Sequence, residues 1–302
     1  MRIPLPDGDL LSARLHQGEA GGVAVYFFHG LAGSIESDYM GRMRWLAEKR
    51  GWQALAVNHR GCGEGQGLAS RPYHSGRGED ISAAIAWGRQ NLDAAHHVAV
   101  GFSLSGNALL LLQAGVRGDC PPDLGIAVNA PIDLAKSAKN ISSGRNLLYD
   151  QRFVRRCKRQ VKAMVQAGRS AQVAFPWFLT LRGFDAVYTA PAGGFASRED
   201  YYAICSARQH LHRIQQPTLI LTSKDDPMVD YQDYESADIS PQTLLHLENT
   251  GGHMGYLHHL PTPLGTRRWL DYALDRYIST WCAQSSHPAK GSRTHEEPLK
   301  KI

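Results

Sequence analysis

Short apolar runs recur along the chain: 23-VAVYFF-28, 53-QALAV-57, residues 98–100 and residues 124–128, with 217-PTLILTS-223 and the less continuous 243-TLLHLEN-249 after a long interval. A strand with one face in water alternates apolar and polar side chains, so an unbroken run belongs to a strand covered on both faces. Helical spacing fills the gaps. Met40, Met43, Leu46 and Ala47 share one face of a segment from about 38 to 50, and Gly51 supplies its stop. Ile81, Ala84, Ile85, Gly88 and Leu92 form a second face, and residues 104–114 a third helix. Buried strands alternating with helices predict an α/β fold with a mostly parallel central sheet flanked by helices. Ahead of it, the first thirty residues read as short strands about a turn at Pro6-Asp7-Gly8-Asp9, with a break at Gly21-Gly22.

The alternation lapses between about 131 and 211 and then returns, closing with a helix from about 266 to 281. The interrupting segment reads mostly helical, with Phe153, Cys157, Val161, Met164 and Val165 as one stripe and a loop-like 189-TAPAGGFAS-197. The predicted organisation is a core of residues 1–130 and 211–282, a helical lid or cap over 131–210, and a tail over 283–302. That tail lacks periodicity and is expected to be disordered. No internal repeat is visible.

Length alone, 302 residues, does not choose between one large domain and two small ones. A chain 43% hydrophobic and 20% charged is ordinary globular material. The net charge of +5 is mild, and no zinc-finger, RGG or RRM pattern accompanies it, so no nucleic-acid partner is expected. Five scattered cysteines without a C-x-x-C pair argue against a disulfide framework or a zinc site and for a reducing compartment. The N-terminus carries no apolar stretch of signal-peptide type, and no window approaches the roughly 18 apolar residues of a membrane span. A soluble, cytoplasmic protein is the expectation.

The run 98-VAVGFSLSGNALLLLQAG-115 leads a strand into a turn of small residues and out into a leucine-rich helix. It has the form of the G-x-S-x-G elbow that exposes a nucleophilic serine, here Ser103, at a helix N-terminus. The fifth position is Ser105, where the motif asks for glycine; a tight turn of small residues would look similar without any chemistry. Two later segments bear on the choice. After residues 218–223 come Asp225 and Asp226, and after 243–249 comes 251-GGHMG-255 with His253 in a glycine-rich loop. Each has a plainer reading, the aspartates as turn residues and His253 as one of fourteen histidines. Together they follow successive strands in the order serine, acid, histidine, which is the order of the α/β-hydrolase triad. Hydrolysis by serine also needs donors for the oxyanion, and 28-FHGLAG-33 offers an HG turn after an early strand. The amides of Leu31 and Leu104 are assigned that role. His29 reads as bracing its turn rather than as catalytic, and His29, Phe102 and Met254 are expected to lie against the substrate.

These segments, with 58-NHRGCGEG-65, 73-YHSG-76, 129-NAPIDL-134 and 182-RGFDAVYTAPAGGF-195, resemble the YheT-like branch of the α/β-hydrolase superfamily over about residues 1–282. The resemblance implies the hydrolase fold with a helical lid and an esterase- or lipase-like activity through a Ser-His-Asp triad. It places the acid at Asp226, three residues before the apolar Val229, with Asp225 as the fallback. The family usually has G-x-S-L-G-G at the elbow, so Ser105 is a departure that bears on turn geometry. On this reading Ser105 crowds the turn slightly, and Ser105→Gly leaves activity intact or raises it. The implied substrate is a small-molecule acyl ester, with lipid-derived esters among the candidates, and no cofactor or metal is implied.

Other features carry less. Arg152, Arg155, Arg156, Lys158, Arg159 and Lys162 form a basic face on a helix of the insertion, read either as a solvated face or as a lid helix that meets anionic lipid. The loop 58-NHRGCGEGQG-67 lacks the G-x-x-x-x-G-K-[ST] phosphate loop and is expected to pack near the elbow, with Cys62 not a nucleophile. The adjacent pairs His96-His97 and His258-His259 point their side chains apart, against a metal site. Trp177, Phe178, Phe184 and Tyr188 read either as an acyl pocket or as the core of the lid. Competing functions are a catalytically silent hydrolase-fold binding or scaffolding protein, and a thioesterase or peptidase using the same triad. A dehalogenase is disfavoured, because it needs a carboxylate where Ser103 stands.

Overall fold

The computed structural model describes residues 1–285. Strands β1 (Arg2–Pro4), β2 (Leu10–His16) and β3 (Gly22–Phe28) lead into helix α1 (Asp38–Arg50) and strand β4 (Gln53–Asn58). Next come α2 (Gly78–Asn91), β5 (Ala94–Phe102), α3 (Leu104–Gln113) and β6 (Leu124–Val128). Helices α4 (Leu134–Ile141), α5 (Leu147–Gln166), α6 (Leu181–Phe184), α7 (Ala190–Gly193) and α8 (Arg198–Cys205) intervene before β7 (Thr218–Ser223). The chain closes with α9 (Gln232–Glu235), β8 (Thr243–Glu248) and α10 (Trp269–Ser285).

The eight strands form one sheet in the order β1-β2-β4-β3-β5-β6-β7-β8. The β1–β2 and β2–β4 pairs are antiparallel and the remaining five pairs parallel. The period of two along a strand explains the unbroken apolar runs. On β3, Val25 and Phe27 pack with Met43 and Leu46 of α1 and Leu274 of α10, while Ala24, Tyr26 and Phe28 pack with Ile81 and Ile85 of α2 and Leu109 of α3. Both faces are thus core, which is what an unbroken run requires.

Parallel strands place their following loops along one edge, and helices α4–α8 lie in the chain between two of those strands, β6 and β7. The insertion has its own apolar centre, with Val154, Cys157 and Val161 of α5 against Leu181, Phe184 and Tyr188. Two local expectations need correction. The segment 189–197 is not simply a loop: a π-helical turn, Asp185–Thr189, runs into α7, and left-handed Gly194 ends it. The final helix begins at Trp269 rather than near 266 and continues through Ser285, so residues 283–285 are helical. The rest of the expected tail, 286–302, lies outside the described residues.

Candidate active site

Five loops at the carboxyl edge of the sheet converge. Leu31 follows β3, Ser103 follows β5, Asn129 follows β6, Asp225 and Asp226 follow β7, and His253 follows β8. Ser103 is held at φ 54°, ψ −119°, a conformation that costs a non-glycine residue on the order of 1–3 kcal/mol. Its amide donates to the Val128 carbonyl at 2.8 Å, and the chain turns at once into α3. The tight crossing demands glycine at two places. A Cβ on Gly101 would stand 2.6 Å from the Ser105 carbonyl oxygen, and one on Gly106 would stand 2.8 Å from Ala130 Cβ.

Position 105, by contrast, has room for a side chain and uses it. The buried Ser105 hydroxyl donates to the His29 carbonyl and lies 2.6 Å from His59 Nε2 and 3.1 Å from Tyr73 Oη. A hydroxyl has one proton and the carbonyl can only accept, so His59 Nε2–H and Tyr73 O–H both donate to Ser105 Oγ. His59 Nδ1 is then a bare acceptor, and it has no partner among the described residues. Burial, reinforced by His29, lowers the His59 pKa and keeps the ring neutral. The expectation that Ser105 merely crowds the turn is therefore corrected: its hydroxyl is the acceptor for two buried donors.

Ser103 Oγ stands 3.0 Å from His253 Nε2, and His253 Nδ1–H donates to Asp226 Oδ2 at 2.8 Å. Asp226 accepts further from Asn129 Nδ2 at 2.7 Å and from the amides of Met228 and Val229 at 2.8 and 3.1 Å. Burial alone would raise the Asp226 pKa; His253 and these hydrogen bonds outweigh it and hold the carboxyl below its ordinary range. Tyr256 O–H donates to Asn129 Oδ1 at 2.8 Å, so the orienting amide is itself oriented. Asp225 points elsewhere: its Oδ1 accepts the amides of Gly251 and Gly252, both at 2.8 Å, fixing the loop that carries His253. The two adjacent carboxylates divide the work, one on the ring and one on the loop.

The amides of Leu31 and Leu104 flank the serine. Leu104 is the first residue of α3, where a backbone N–H has no carbonyl one turn back, and no acceptor among the described residues takes the Leu31 amide. Gly30 keeps the two segments close: a Cβ there would stand 3.0 Å from Ser103 Cβ. The Gly30 amide donates to Tyr39 Oη at 2.9 Å.

A cavity opens over Ser103 and His253. Leu31, Leu104, Pro131, Met228 and Val229 line its base, and Ile141, Phe153, Cys157, Val161, Met164 and Phe184 of the insertion line its roof. Its lining is mostly apolar; Tyr73, Tyr202 and Asp185 are among the polar groups. Burial raises Asp185 to a pKa of about 6 even though Tyr202 O–H donates to it at 2.8 Å. Phe184 and Tyr188 serve both the cavity and the insertion's core. Trp177 and Phe178 do neither and are exposed.

The residues expected against the substrate do not line this cavity. His29 is fully buried; its Nδ1–H donates to the Gly30 carbonyl, its Nε2 accepts the His59 amide, and burial pushes its pKa down to about 4. Phe102 is fully buried edge-on to Tyr39, and half-buried Met254 packs on the core beneath. Reading the sequence assigned no role to Asn129, His59 or Tyr73. The signal for Asn129 was present in its position directly after a buried run; His59 and Tyr73 reach Ser105 only through the tertiary fold. Cys62 is buried with its thiol pushed up to about 12 by burial, and among the described residues no group of three or more His, Cys, Asp or Glu is placed to hold a metal.

A hydroxyl facing an imidazole, with the far ring nitrogen on a carboxylate and two amides alongside, can transfer a proton and stabilise an oxyanion. Comparison with known proteins agrees with this architecture. A family model described as "Alpha/beta hydrolase family" matches residues 25–268. YheT of Escherichia coli (strain K12) is 32% identical over 301 residues, covering 94% of this chain and 86% of that protein. A Saccharomyces cerevisiae protein named monoacylglycerol lipase is 27% identical over 84% of this chain, which spans 58% of its length. Among solved structures, the Pyrococcus furiosus esterase Pf2001 superposes with a TM-score of 0.60 at 14% identity, covering 92% of this chain and 90% of that one. The chain belongs to the α/β-hydrolase superfamily, in its YheT-like branch.

Proposed function

We propose that the chain is a serine hydrolase that cleaves carboxylic esters through an acyl-enzyme. The observation that carries this reading is the continuous chain Ser103 Oγ–His253–Asp226, at 3.0 and 2.8 Å, opening into an apolar cavity. His253 Nε2 takes the Ser103 proton as the hydroxyl attacks the ester carbonyl, and Asp226 holds the ring with its proton on Nδ1. The Leu31 and Leu104 amides receive the oxyanion; losing one such donor typically costs about 10²–10³ in turnover. His253 returns the proton to the departing alkoxide, which leaves as the alcohol. Water, deprotonated by the same ring, then attacks the acyl-enzyme and releases the acid and Ser103.

The mostly apolar lining suits an acyl chain, and relatives named monoacylglycerol lipase and phospholipase are in keeping with an acyl ester as substrate. In this reading residues 131–210 act as the lid over a core of 1–130 and 211–282. None of the five cysteines forms a disulfide, which suits a reducing, cytoplasmic setting.

The test is labelling with a fluorophosphonate probe, with Ser103→Ala as control, followed by a panel of esters of increasing acyl length. Labelling that disappears in the folded variant supports the assignment. Absence of labelling in folded wild-type protein, or labelling that persists in Ser103→Ala, would sink it.

A further inference from the structure

Helix α5 has two faces of opposite character. Cys157, Val161 and Met164 face the cavity. On the opposite side, Leu148, Arg152, Arg155, Arg159 and Lys162 fall within about a quarter turn of one another at helical spacing, and all are exposed. The stretch 143–180 contains one carboxylate, Asp150. It is fully buried, accepting from Ser142 Oγ at 2.7 Å and from the Leu181 amide at 2.8 Å, so it does not stand on this surface. Glu36 and Asp38 line a cleft with Arg152, Arg156 and Arg159, whereas Arg155 and Lys162 are outside its lining.

The loop 175–179 is strapped along the same helix. Lys158 Nζ donates to the Pro176 carbonyl at 3.0 Å, and Gln151 Nε2 donates to the Leu179 carbonyl at 3.0 Å. This sets Trp177 and Phe178 beside the cation stripe. Trp177 is 97% exposed, Leu148 is 82% exposed and Phe178 is half exposed. Two aromatic rings in contact at 6.0 Å between centroids and a leucine on α5, all left in water on a fold with ample core, mark a contact surface rather than packing.

We infer that this face of the insertion docks on an anionic lipid surface, with Trp177, Phe178 and Leu148 entering the headgroup layer and Arg155 and Lys162 on the lipid charges. The surface is a helix flank and a loop tip rather than a groove, which suits a fluid interface better than a folded partner. Tryptophan and phenylalanine beside arginine and lysine are the combination that interfacial helices use. With the opposite face of α5 roofing the cavity, docking sets that roof between the bilayer and Ser103. The inference goes beyond the hydrolase reading and stands independently of it, because binding is measured without turnover.

The experiment is co-sedimentation of the full chain with vesicles of phosphatidylcholine alone and of phosphatidylcholine mixed with phosphatidylglycerol. Wild type should bind the mixed vesicles, weaken with added salt, and show reduced iodide quenching of tryptophan when bound. Each basic residue at a membrane surface is worth about 1 kcal/mol, so Arg155→Glu with Lys162→Glu should lower the partition coefficient by about 30-fold or more. Trp177→Ser with Phe178→Ser should lower it by about tenfold and abolish the change in quenching. All four positions are at the surface, and circular dichroism checks that the variants are folded. Equal binding to neutral and mixed vesicles, no binding to either, or binding indifferent to both variants would overturn the inference. So would a single-stranded oligonucleotide that displaces the protein from vesicles through Trp177, since the partner would then be a nucleic acid.

Discussion

Ser105 Oγ lies 2.6 Å from His59 Nε2, beneath the turn that carries Ser103. The same oxygen accepts from Tyr73 and donates to the carbonyl of His29, two residues before Leu31. One hydroxyl therefore ties the first turn of α3, which bears the Leu104 amide, to the loop that bears the Leu31 amide. The relative placement of the two proposed oxyanion donors depends on this tie.

Replacing Ser105 with alanine leaves His59 Nε2–H and Tyr73 O–H without their acceptor, at a cost on the order of 1–3 kcal/mol for each buried donor left unsatisfied. Glycine adds a helix-propensity cost of about 1 kcal/mol. Stability should fall in the order wild type, Ser105→Ala, Ser105→Gly in urea unfolding. As a positioning residue, Ser105 should affect kcat of ester hydrolysis in the alanine variant while KM holds. A purely structural role would lower the active fraction and leave kcat per labelled active site unchanged, so turnover is normalised to fluorophosphonate titration.

The distinction between local and tertiary information explains what could be read in advance. Unbroken runs such as residues 23–28 mark strands because both faces of β3 are core; Ser103 stands out because it directly follows such a run, and His253 because it sits in a glycine-rich loop after the last strand. Asp225 and Asp226 share that position, so spacing alone cannot separate them. Their difference is one of direction, toward the Gly251 and Gly252 amides or toward the His253 ring. Ser105, His59 and Tyr73 meet across three segments, and a pattern one motif long contains no trace of that. His29, Phe102 and Met254 are chain neighbours of functional residues, but neighbours along a strand or tight loop point to opposite sides, which is why they lie away from the cavity.

Substitution at the paired aspartates should separate their roles. Asp226→Asn removes the carboxylate that accepts from His253 Nδ1–H and should lower kcat by on the order of 10⁴. Asp225→Asn keeps a carbonyl oxygen for the two glycine amides and should cost less than about tenfold. The Asp226 carboxyl is held below its unfolded value of 3.8, so its contribution to stability is present above that pH and is lost as pH falls through the folded value. The stability gap between wild type and Asp226→Asn should therefore narrow below pH 3.8. A gap independent of pH would mean that the ionised carboxylate is not what stabilises the loop.

Asp185 has the opposite sign. Its folded pKa of about 6 lies above the unfolded 3.8, so between these values the native state holds a proton that the unfolded chain has released. Stability from this group falls as pH rises from 3.8 to about 6, by roughly 3 kcal/mol in all. Asp185→Asn cannot ionise, and its carbonyl can accept from Tyr202 O–H as the carboxylate does. Unfolding free energies measured from pH 4 to pH 7 should shift in favour of the variant by about that amount. Parallel curves for the two proteins would refute a buried, protonated Asp185.

The cavity under α5 makes a prediction about acyl length. Val161 is on its roof, and an indole there would occupy space that a long chain needs. Val161→Trp overfills a buried site, at a cost of about 1–3 kcal/mol in stability. In the folded variant, kcat/KM for a palmitoyl ester should fall by roughly ten- to a hundredfold, while an acetyl ester is spared because its acyl group ends close to Ser103. The selectivity ratio cancels any change in active fraction, since both esters are turned over by the same molecules. A proportional loss at every chain length would show that the acyl chain leaves Ser103 in another direction, and that the apolar roof built from Cys157, Val161 and Met164 encloses a different part of the substrate.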